Sequence, residues 1–223
     1  MTALTTSDAS SEASAGDNCG VGGGAGDGLG DMEFRDAMPD DAVAIAEVHV
    51  ASWRVAYRHL LPDALLDGLS VEGRGRWWRR LLDAPRGDRV TLAVRDGVVV
   101  GFVHVALGPP DAPDCGELVT LYLTPETWGT GVGQRLHDTS LVHLGAAGCT
   151  EARVWMLSTN ERARRFYVRQ GWTRLEEVRI QQFATATVID HRFAIDLRRS
   201  DGSGLDLQTG DASAISSSGV QRI

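Results

Sequence analysis

The chain has 223 residues, of which 43% are apolar, and its formal net charge is −8 at pH 7. This length and apolar content predict one globular domain with a buried core, and the acidic balance argues against a nucleic-acid-binding protein, which needs a basic surface. All 22 basic residues are arginine, so chemistry that depends on lysine, such as a Schiff base or a Walker phosphate loop, is excluded.

The cysteines and the apolar runs restrict the chemistry and the location of the protein. Three widely spaced cysteines without a CxxC pair predict neither a disulfide framework nor a zinc site, and we expect no bound metal. No apolar run approaches about 18 residues and the start has no signal-peptide pattern, so we expect a cytoplasmic protein. Basic residues that are all arginine, with many Ala and Gly residues, are typical of a GC-rich bacterial genome.

Both ends of the chain are rich in Ser, Gly and Asp. Residues 1–31 and 200–223 have too few apolar side chains to offset the entropy that ordering would cost, so we predict that both segments are disordered. The glycines of the first segment follow no predicted strand, which favours a flexible leader over a phosphate loop. The folded domain is therefore predicted to span residues 32–199.

The predicted elements of this domain begin with a strand at Glu33–Asp36 and a helix that starts at Pro39. Along that helix, aromatic and apolar residues recur every four positions on one face: Ile45, His49, Trp53 and Tyr57. We then predict helices at Pro62–Leu69 and Val71–Leu82, a hairpin of Arg89–Arg95 and Val98–Leu107, a strand at Glu117–Leu123, a helix from Gly131 to Ala146, a strand at Ala152–Leu157, a helix at Glu161–Gln170, and strands near 173–183 and 187–197. This order predicts a mixed α/β sheet and not a regularly alternating Rossmann fold.

The loop Trp128-Gly129-Thr130-Gly131-Val132-Gly133 lies between a predicted strand and a predicted helix. A helix N-terminus has unpaired N–H groups and roughly half a positive charge, and glycines let a pyrophosphate approach those amides. A dinucleotide-binding loop would need a small residue where Leu136 stands, and Glu151 precedes its strand instead of ending it. A nucleotide- or NAD-binding enzyme and a simple tight turn remain as weaker alternatives.

Two motifs give the sequence a specific resemblance. The strand Glu117–Leu123, followed by Thr124-Pro125 and the glycine loop, resembles motif A of the GNAT superfamily of N-acetyltransferases, in which (Arg/Gln)-x-x-Gly-x-Gly/Ala precedes a helix. Trp128 departs from that motif, because it replaces the Arg or Gln. Six residues further along the chain resemble motif B of the same superfamily and match its spacing. They are Asn160, Ala163, Phe166, Tyr167, Gly171 and Trp172.

The resemblance covers about residues 32–199 and implies both a fold and an activity. The fold is a mixed, largely antiparallel central sheet of about six or seven strands, flanked by helices and splayed at the strand that binds acetyl-CoA. The activity is the direct transfer of an acetyl group from acetyl-CoA to a primary amine of a small molecule or peptide. The residues that would bind the cofactor are Leu121, Tyr122, Leu123, Trp128, Gly129, Thr130, Gly131, Val132, Gly133, Gln134 and Asn160.

The resemblance also assigns catalytic residues. Glu117 occupies the position of a general base, often acting through water, and Tyr167 that of the donor that protonates the departing thiolate. A period-two count places Glu117 on the same face of its strand as Leu121 and Leu123. By the same resemblance, Trp53 and Tyr57 would border the acceptor pocket.

Several alternatives stay open at this point. Glu117 could instead be an ordinary strand-edge carboxylate, and Tyr167 could pack its ring in the core. Asn160 could serve as the N-cap of its helix, a role that is compatible with cofactor binding. The whole chain would in that case be a catalytically silent module that senses acyl-CoA. The sequence identifies neither the amine acceptor nor the oligomeric state, for which a homodimer is one option.

Overall fold

The computed structural model describes residues 31–84, 87–108, 112–183 and 186–199, so the predicted disordered segments, apart from Asp31, lie outside the described residues. The described part forms seven strands and five α-helices. In chain order these are β1 (Met32–Asp36), α1 (Ala42–Ala56), α2 (Asp63–Asp67), α3 (Val71–Asp83), β2 (Asp88–Arg95), β3 (Val98–Leu107), β4 (Cys115–Leu123), α4 (Val132–Ala146), β5 (Glu151–Leu157), α5 (Glu161–Arg169), β6 (Thr173–Phe183) and β7 (Ala186–Asp196).

The seven strands form one sheet in the order β1-β2-β3-β4-β5-β7-β6. All neighbouring pairs are antiparallel except β4 and β5, which run parallel and pair only over Cys115–Glu117 and Glu151–Arg153. Beyond Glu117 the two strands are no longer paired. The predicted mixed, largely antiparallel sheet with a splayed strand is therefore confirmed.

Helices cover both faces of this sheet. On one face, α1 and α3 pack over β2 and β3 and bury Ile45, Trp78 and Phe102 completely. On the other face, α4 and α5 enclose a second core that includes Leu118 and Leu136, both fully buried. Among the described helices, none combines the length and apolarity that a membrane crossing requires.

Local sequence signals explain several element ends. Asp96 and Gly97 have φ angles of 51° and 77°, the positive values that a tight two-residue hairpin turn requires, so the predicted hairpin is confirmed. The side chain of Asn160 accepts a hydrogen bond of 3.1 Å from the backbone N–H of Ala163 and caps α5. These two signals fix the entry into β3 and into α5.

A β-bulge in β4 changes which side chains share a face. Thr120 pairs with His104 and Leu118 with Val105, so one extra residue, Val119, is inserted between them. Leu118 therefore packs in the same core as Leu121 and Leu123, three and five residues later. Glu117 points to the opposite side, and the period-two prediction that placed it with Leu121 and Leu123 is wrong because of this bulge.

Candidate active site

The separation of β4 from β5 leaves a cavity of about 430 Å³. Its walls come from β4, β5, the glycine loop and α5. Most of the residues predicted to bind a cofactor line this cavity, and they are Leu121, Tyr122, Leu123, Trp128, Gly129, Gly131, Gly133, Gln134 and Asn160. The two remaining residues differ, because the side chain of Val132 is fully buried in the core and the hydroxyl of Thr130 donates 2.7 Å to the Thr127 carbonyl.

The main chain at the end of β4 faces this cavity. The N–H of Thr124 donates 2.8 Å to the carbonyl of Val100, which makes the neighbouring pair Gly101–Leu123 a non-hydrogen-bonded pair of the antiparallel ladder. The N–H and C=O of Leu123 therefore point away from β3, toward the gap beside β5. By the same alternation, the main-chain groups of Leu121 point the same way.

The carbonyl of Leu123 is already occupied from two sides. The hydroxyl of Ser52, on α1, donates 2.6 Å to it, and the indole N–H of Trp128 donates 3.1 Å. These two bonds use both lone pairs of the carbonyl oxygen and leave the N–H as the Leu123 group that faces the gap. Sequence reasoning missed Ser52, although a serine seven residues after Ile45 on the buried face of a helix is a usable signal.

The glycine loop holds the N-terminus of α4 against the cavity. Gly129 and Gly131 have φ angles of 80° and 90°, and Gly131 is the N-cap residue of α4. At Gly133 a Cβ atom would lie 3.0 Å from Cδ1 of Leu123, so a larger residue would require the Leu123 side chain to shift. The positive end of the helix dipole and its free N–H groups are thereby available to an anion in the cavity.

Trp128, which stands where the family motif has Arg or Gln, makes two contacts of its own. Besides its bond to Leu123, its ring carries the guanidinium of Arg162, which lies 3.4 Å from the ring centroid. Burial lowers the pKa of Arg162 from its ordinary value. The tryptophan thus joins the loop to β4 and places a cation on the cavity wall, where the motif would place an Arg or Gln side chain directly.

Gln134 of α4 and Gln170, the residue that follows α5, are hydrogen-bonded to each other beside the glycine loop. The amide of Gln134 donates 2.8 Å to Oε1 of Gln170 and 2.8 Å to Oδ1 of Asp138. The Gln170 amide in turn donates to Oε1 of Gln134. Gln134 lines the cavity, but these bonds engage both ends of its side-chain amide.

Tyr167 lies on α5 and lines the same cavity, with 7% of its surface exposed. Burial raises the pKa of its hydroxyl above the ordinary value of 10.0, so the group is protonated at neutral pH. Its ring packs against Phe166 and Trp172 at centroid distances of 5.3 and 5.4 Å. A protonated phenol held rigidly beside the gap can donate a proton there.

Glu117 opens on a second, smaller cavity of about 100 Å³. Its side chain is one-third exposed, and its Oε2 lies 4.0 Å from Nη2 of Arg192. Glu117 does not line the larger cavity, and Tyr167 does not line the smaller one. The structure therefore places the two predicted catalytic residues on adjoining cavities and not in one pocket.

Tyr57 and Tyr122 line both cavities and form the boundary between them. Burial, and after it the Tyr122 hydroxyl, raises the pKa of Tyr57 well above its ordinary value, and burial also raises the pKa of Tyr122. Trp53 lines the smaller cavity and packs on Tyr57 at a centroid distance of 4.9 Å. The aromatic positions predicted to border an acceptor pocket thus converge at this boundary.

Comparison with known proteins identifies the family. Residues 44–172 match the family model described as the acetyltransferase (GNAT) family. An uncharacterized N-acetyltransferase of Archaeoglobus fulgidus is 33% identical over 148 residues, which cover 65% of this chain and 95% of that protein.

Solved structures share the fold. The PaiA N-acetyltransferase of Thermoplasma acidophilum, in complex with coenzyme A, has a TM-score of 0.57 and 18% identity, and the match covers 74% of this chain and 98% of that one. The structure of yncA from Salmonella typhimurium, with its cofactor acetyl-CoA, has a TM-score of 0.58 and 17% identity over 79% of this chain and 99% of that one. At these identities the likeness supports the fold alone. The family match and the Archaeoglobus fulgidus relative establish that the chain belongs to the acetyltransferase (GNAT) family and is an acyltransferase.

Proposed function

We propose that this chain is an N-acetyltransferase that moves an acetyl group from acetyl-CoA directly to a primary amine of a small molecule or peptide. The observation that carries the proposal is the pair of main-chain N–H groups at Leu121 and Leu123, which face an open gap between two parallel strands. A glycine loop at a helix N-terminus bounds the same gap. This combination suits a long, phosphorylated thioester.

In this proposal the loop and the strand end bind different parts of acetyl-CoA. The amides of residues 129–133 and the N-terminus of α4 hold the pyrophosphate, and the guanidinium of Arg162 adds a positive charge beside it. Main-chain groups of Leu121 hold the pantetheine arm, and the N–H of Leu123 faces its thioester end. Gln134 and Asn160 line its path, and Asn160 also caps α5.

The reaction needs a stabilised oxyanion and two proton movements. The N–H of Leu123 donates to the thioester oxygen as negative charge develops there. Glu117 accepts the proton of the attacking amine through a water molecule that connects the amine to the Glu117 carboxylate in the smaller cavity. Tyr167 gives its proton to the departing thiolate, since burial keeps the phenol protonated.

The competing function is a silent module that binds acyl-CoA as a sensor. Incubation of the purified protein with acetyl-CoA and a broad panel of primary amines, followed by measurement of released thiol, separates the two. We expect amine-dependent thiol release and an acetylated amine in the mass spectrum. Tight acetyl-CoA binding in calorimetry with no thiol release from any amine would instead favour the sensor.

A further inference from the structure

The smaller cavity contains a second carboxylate, Asp190 on β7, which neither motif includes. The residue is buried, with 5% of its surface exposed. Its position follows from the register of the sheet, because Asp190 pairs with Leu157 across β5 and β7. Glu117, by contrast, pairs with Arg153, four residues earlier on β5.

The two oxygens of Asp190 have different surroundings. Oδ2 accepts hydrogen bonds from Nε and Nη2 of Arg179, at 3.1 and 2.7 Å, and from the side-chain amide of Gln181. Oδ1 accepts none from any residue that the structure describes. Asp190 is 5% exposed as a residue and lines the smaller cavity, so Oδ1 is the oxygen left to accept a hydrogen bond from a ligand there.

Asp190 lies further along the sheet than Glu117, although both side chains line the smaller cavity. Four residues along β5 correspond to about 13 Å, so the main chain of Asp190 is offset from that of Glu117 by that distance along the sheet. Because β4 and β5 run parallel, the level of Leu157 corresponds to the level of Leu121 and Tyr122 on β4. An amino group held by Asp190 would therefore lie at the level of the boundary between the two cavities.

Aromatic rings complete the surroundings of this carboxylate. Trp53, Tyr57 and Tyr122 line the same cavity. Trp155 lines it too, but guanidinium groups of Arg179 and Arg192 already lie 4.7 and 4.6 Å from the centroid of its ring. Three aromatic rings and a carboxylate oxygen that has no donor from the described residues thus line one cavity, an arrangement that favours an alkylammonium ion through hydrogen bonding and cation–π attraction.

We infer that Asp190 is a specificity-determining residue of the acceptor site and that its Oδ1 binds the acceptor's amino group as an alkylammonium ion. Arg179 and Gln181 are positioning residues, since they hold the other oxygen and fix the direction of Oδ1. The inference rests on the proposed function, because it takes the smaller cavity as the place of the acceptor. It assigns the acceptor to the class of small aliphatic amines that are cations at neutral pH.

Two probes of equal size separate charge from shape. n-Butylamine is a cation at pH 7, whereas O-propylhydroxylamine, with the same number of non-hydrogen atoms, is neutral. Calorimetric titration of the CoA-saturated wild-type protein should show that n-butylamine binds at least about tenfold more tightly, as expected for a charge-assisted hydrogen bond. In Asp190→Asn the n-butylamine affinity should fall about tenfold, while that of O-propylhydroxylamine should change less than twofold.

Three variants make this test specific. Glu176→Gln removes the same charge from an exposed position of β6 and should leave both affinities unchanged. Arg179→Gln keeps the charge of Asp190 but removes the contacts that fix Oδ1, so it should weaken n-butylamine binding and leave O-propylhydroxylamine binding unchanged, which also tests the inference should Asp190→Asn fail to fold. Glu117→Gln should keep the preference for the cation.

The inference would be overturned by wild-type protein that binds neither probe or does not prefer n-butylamine. It would also be overturned by a preference that survives Asp190→Asn or disappears only in Glu117→Gln. These calorimetric affinities can be measured whether or not the protein transfers an acetyl group. An absence of thiol release with every amine would count against the proposed function alone, and active enzyme without the charge preference would count against this inference alone.

Discussion

The hydroxyl of Ser52 donates a 2.6 Å hydrogen bond to the carbonyl oxygen of Leu123, and this bond joins helix α1 to the last residue of strand β4. Ser52 is 2% exposed, so water does not compete for the bond. The bond fixes the peptide plane at the end of β4 and with it the direction of main-chain groups that face the gap.

Replacement of Ser52 by alanine should therefore affect catalysis more than folding. We expect a loss of about 1 kcal/mol in the free energy of unfolding, the usual net value of one hydrogen bond, and a fall of about tenfold in kcat. Ser140→Ala is a matched control, because the Ser140 hydroxyl is equally buried and donates 2.6 Å to the His137 carbonyl within α4. Equal kcat values in the two variants would contradict the positioning role of Ser52.

Removal of the Tyr167 hydroxyl should separate turnover from cofactor binding. Tyr167→Phe keeps the ring that packs on Phe166 and Trp172, so the fold and the acetyl-CoA affinity should stay near wild type. Loss of a general acid should lower kcat about 100-fold. The rate of thiol release gives kcat, and calorimetry gives the acetyl-CoA affinity. Weakened acetyl-CoA binding with unchanged kcat would refute the role of proton donor.

The pH dependence of kcat follows from the same hydroxyl. Burial disfavours the phenolate, so the pKa of Tyr167 lies above 10.0 and the donor form persists at every pH below that value. We therefore expect no decline of kcat from Tyr167 between pH 7 and pH 10. The check is a pH–kcat profile of the wild type and of Tyr167→Phe. A decline below pH 9 that is present in the wild type and absent in the variant would contradict this expectation.

The glycine loop should be sensitive to side chains for two separable reasons. Gly131→Ala places a Cβ at a φ of 90°, and Gly148→Ala does the same at a φ of 92° after the end of α4. Both should lose about 1 kcal/mol of stability through backbone strain. Only Gly131→Ala should also weaken acetyl-CoA binding, and Gly131→Asp should weaken it further through charge. Normal acetyl-CoA affinity in Gly131→Asp would exclude the loop as the pyrophosphate site.

Restoring the family's residue at position 128 should harm this protein. In Trp128→Arg the hydrogen bond to Leu123 disappears and the new guanidinium meets Arg162, which now stacks on the indole ring. We expect a lower melting temperature and weaker acetyl-CoA binding. The double variant Trp128→Arg, Arg162→Gln should recover part of both, because it removes the like-charge contact. Tighter acetyl-CoA binding in Trp128→Arg alone would contradict the expectation that the contacts of Trp128 with Leu123 and Arg162 support the binding site.

Much of the fold could be predicted because its signals are local. Turn residues at Asp96-Gly97, a cap at Asn160 and apolar periodicity place most elements within a few residues of their observed bounds. The order of the two motifs then implies the splayed sheet. These signals act over a few neighbouring residues, so they can be read from the chain without its tertiary contacts.

The parts that could not be predicted depend on contacts between distant segments. The bulge at Val119 becomes visible only in the pairing of β4 with β3, yet it moves Glu117 to another face than Leu121. Ser52 reaches Leu123 across 71 positions of sequence. Asp190 is held by β6, and its free oxygen is apparent only when the partners of both oxygens are known.

The unpaired stretch of β4 and β5 has a consequence for the thermodynamics of cofactor binding. The bulge in β4 and the short pairing over Cys115–Glu117 part the two strands within the sheet itself. Binding therefore does not have to break a ladder of main-chain hydrogen bonds, and little of the binding free energy goes into reorganising the sheet. Under the proposed function, the main-chain groups that would receive the pantetheine arm are therefore preorganised, and the conformational cost of complex formation falls mainly on the flexible ligand.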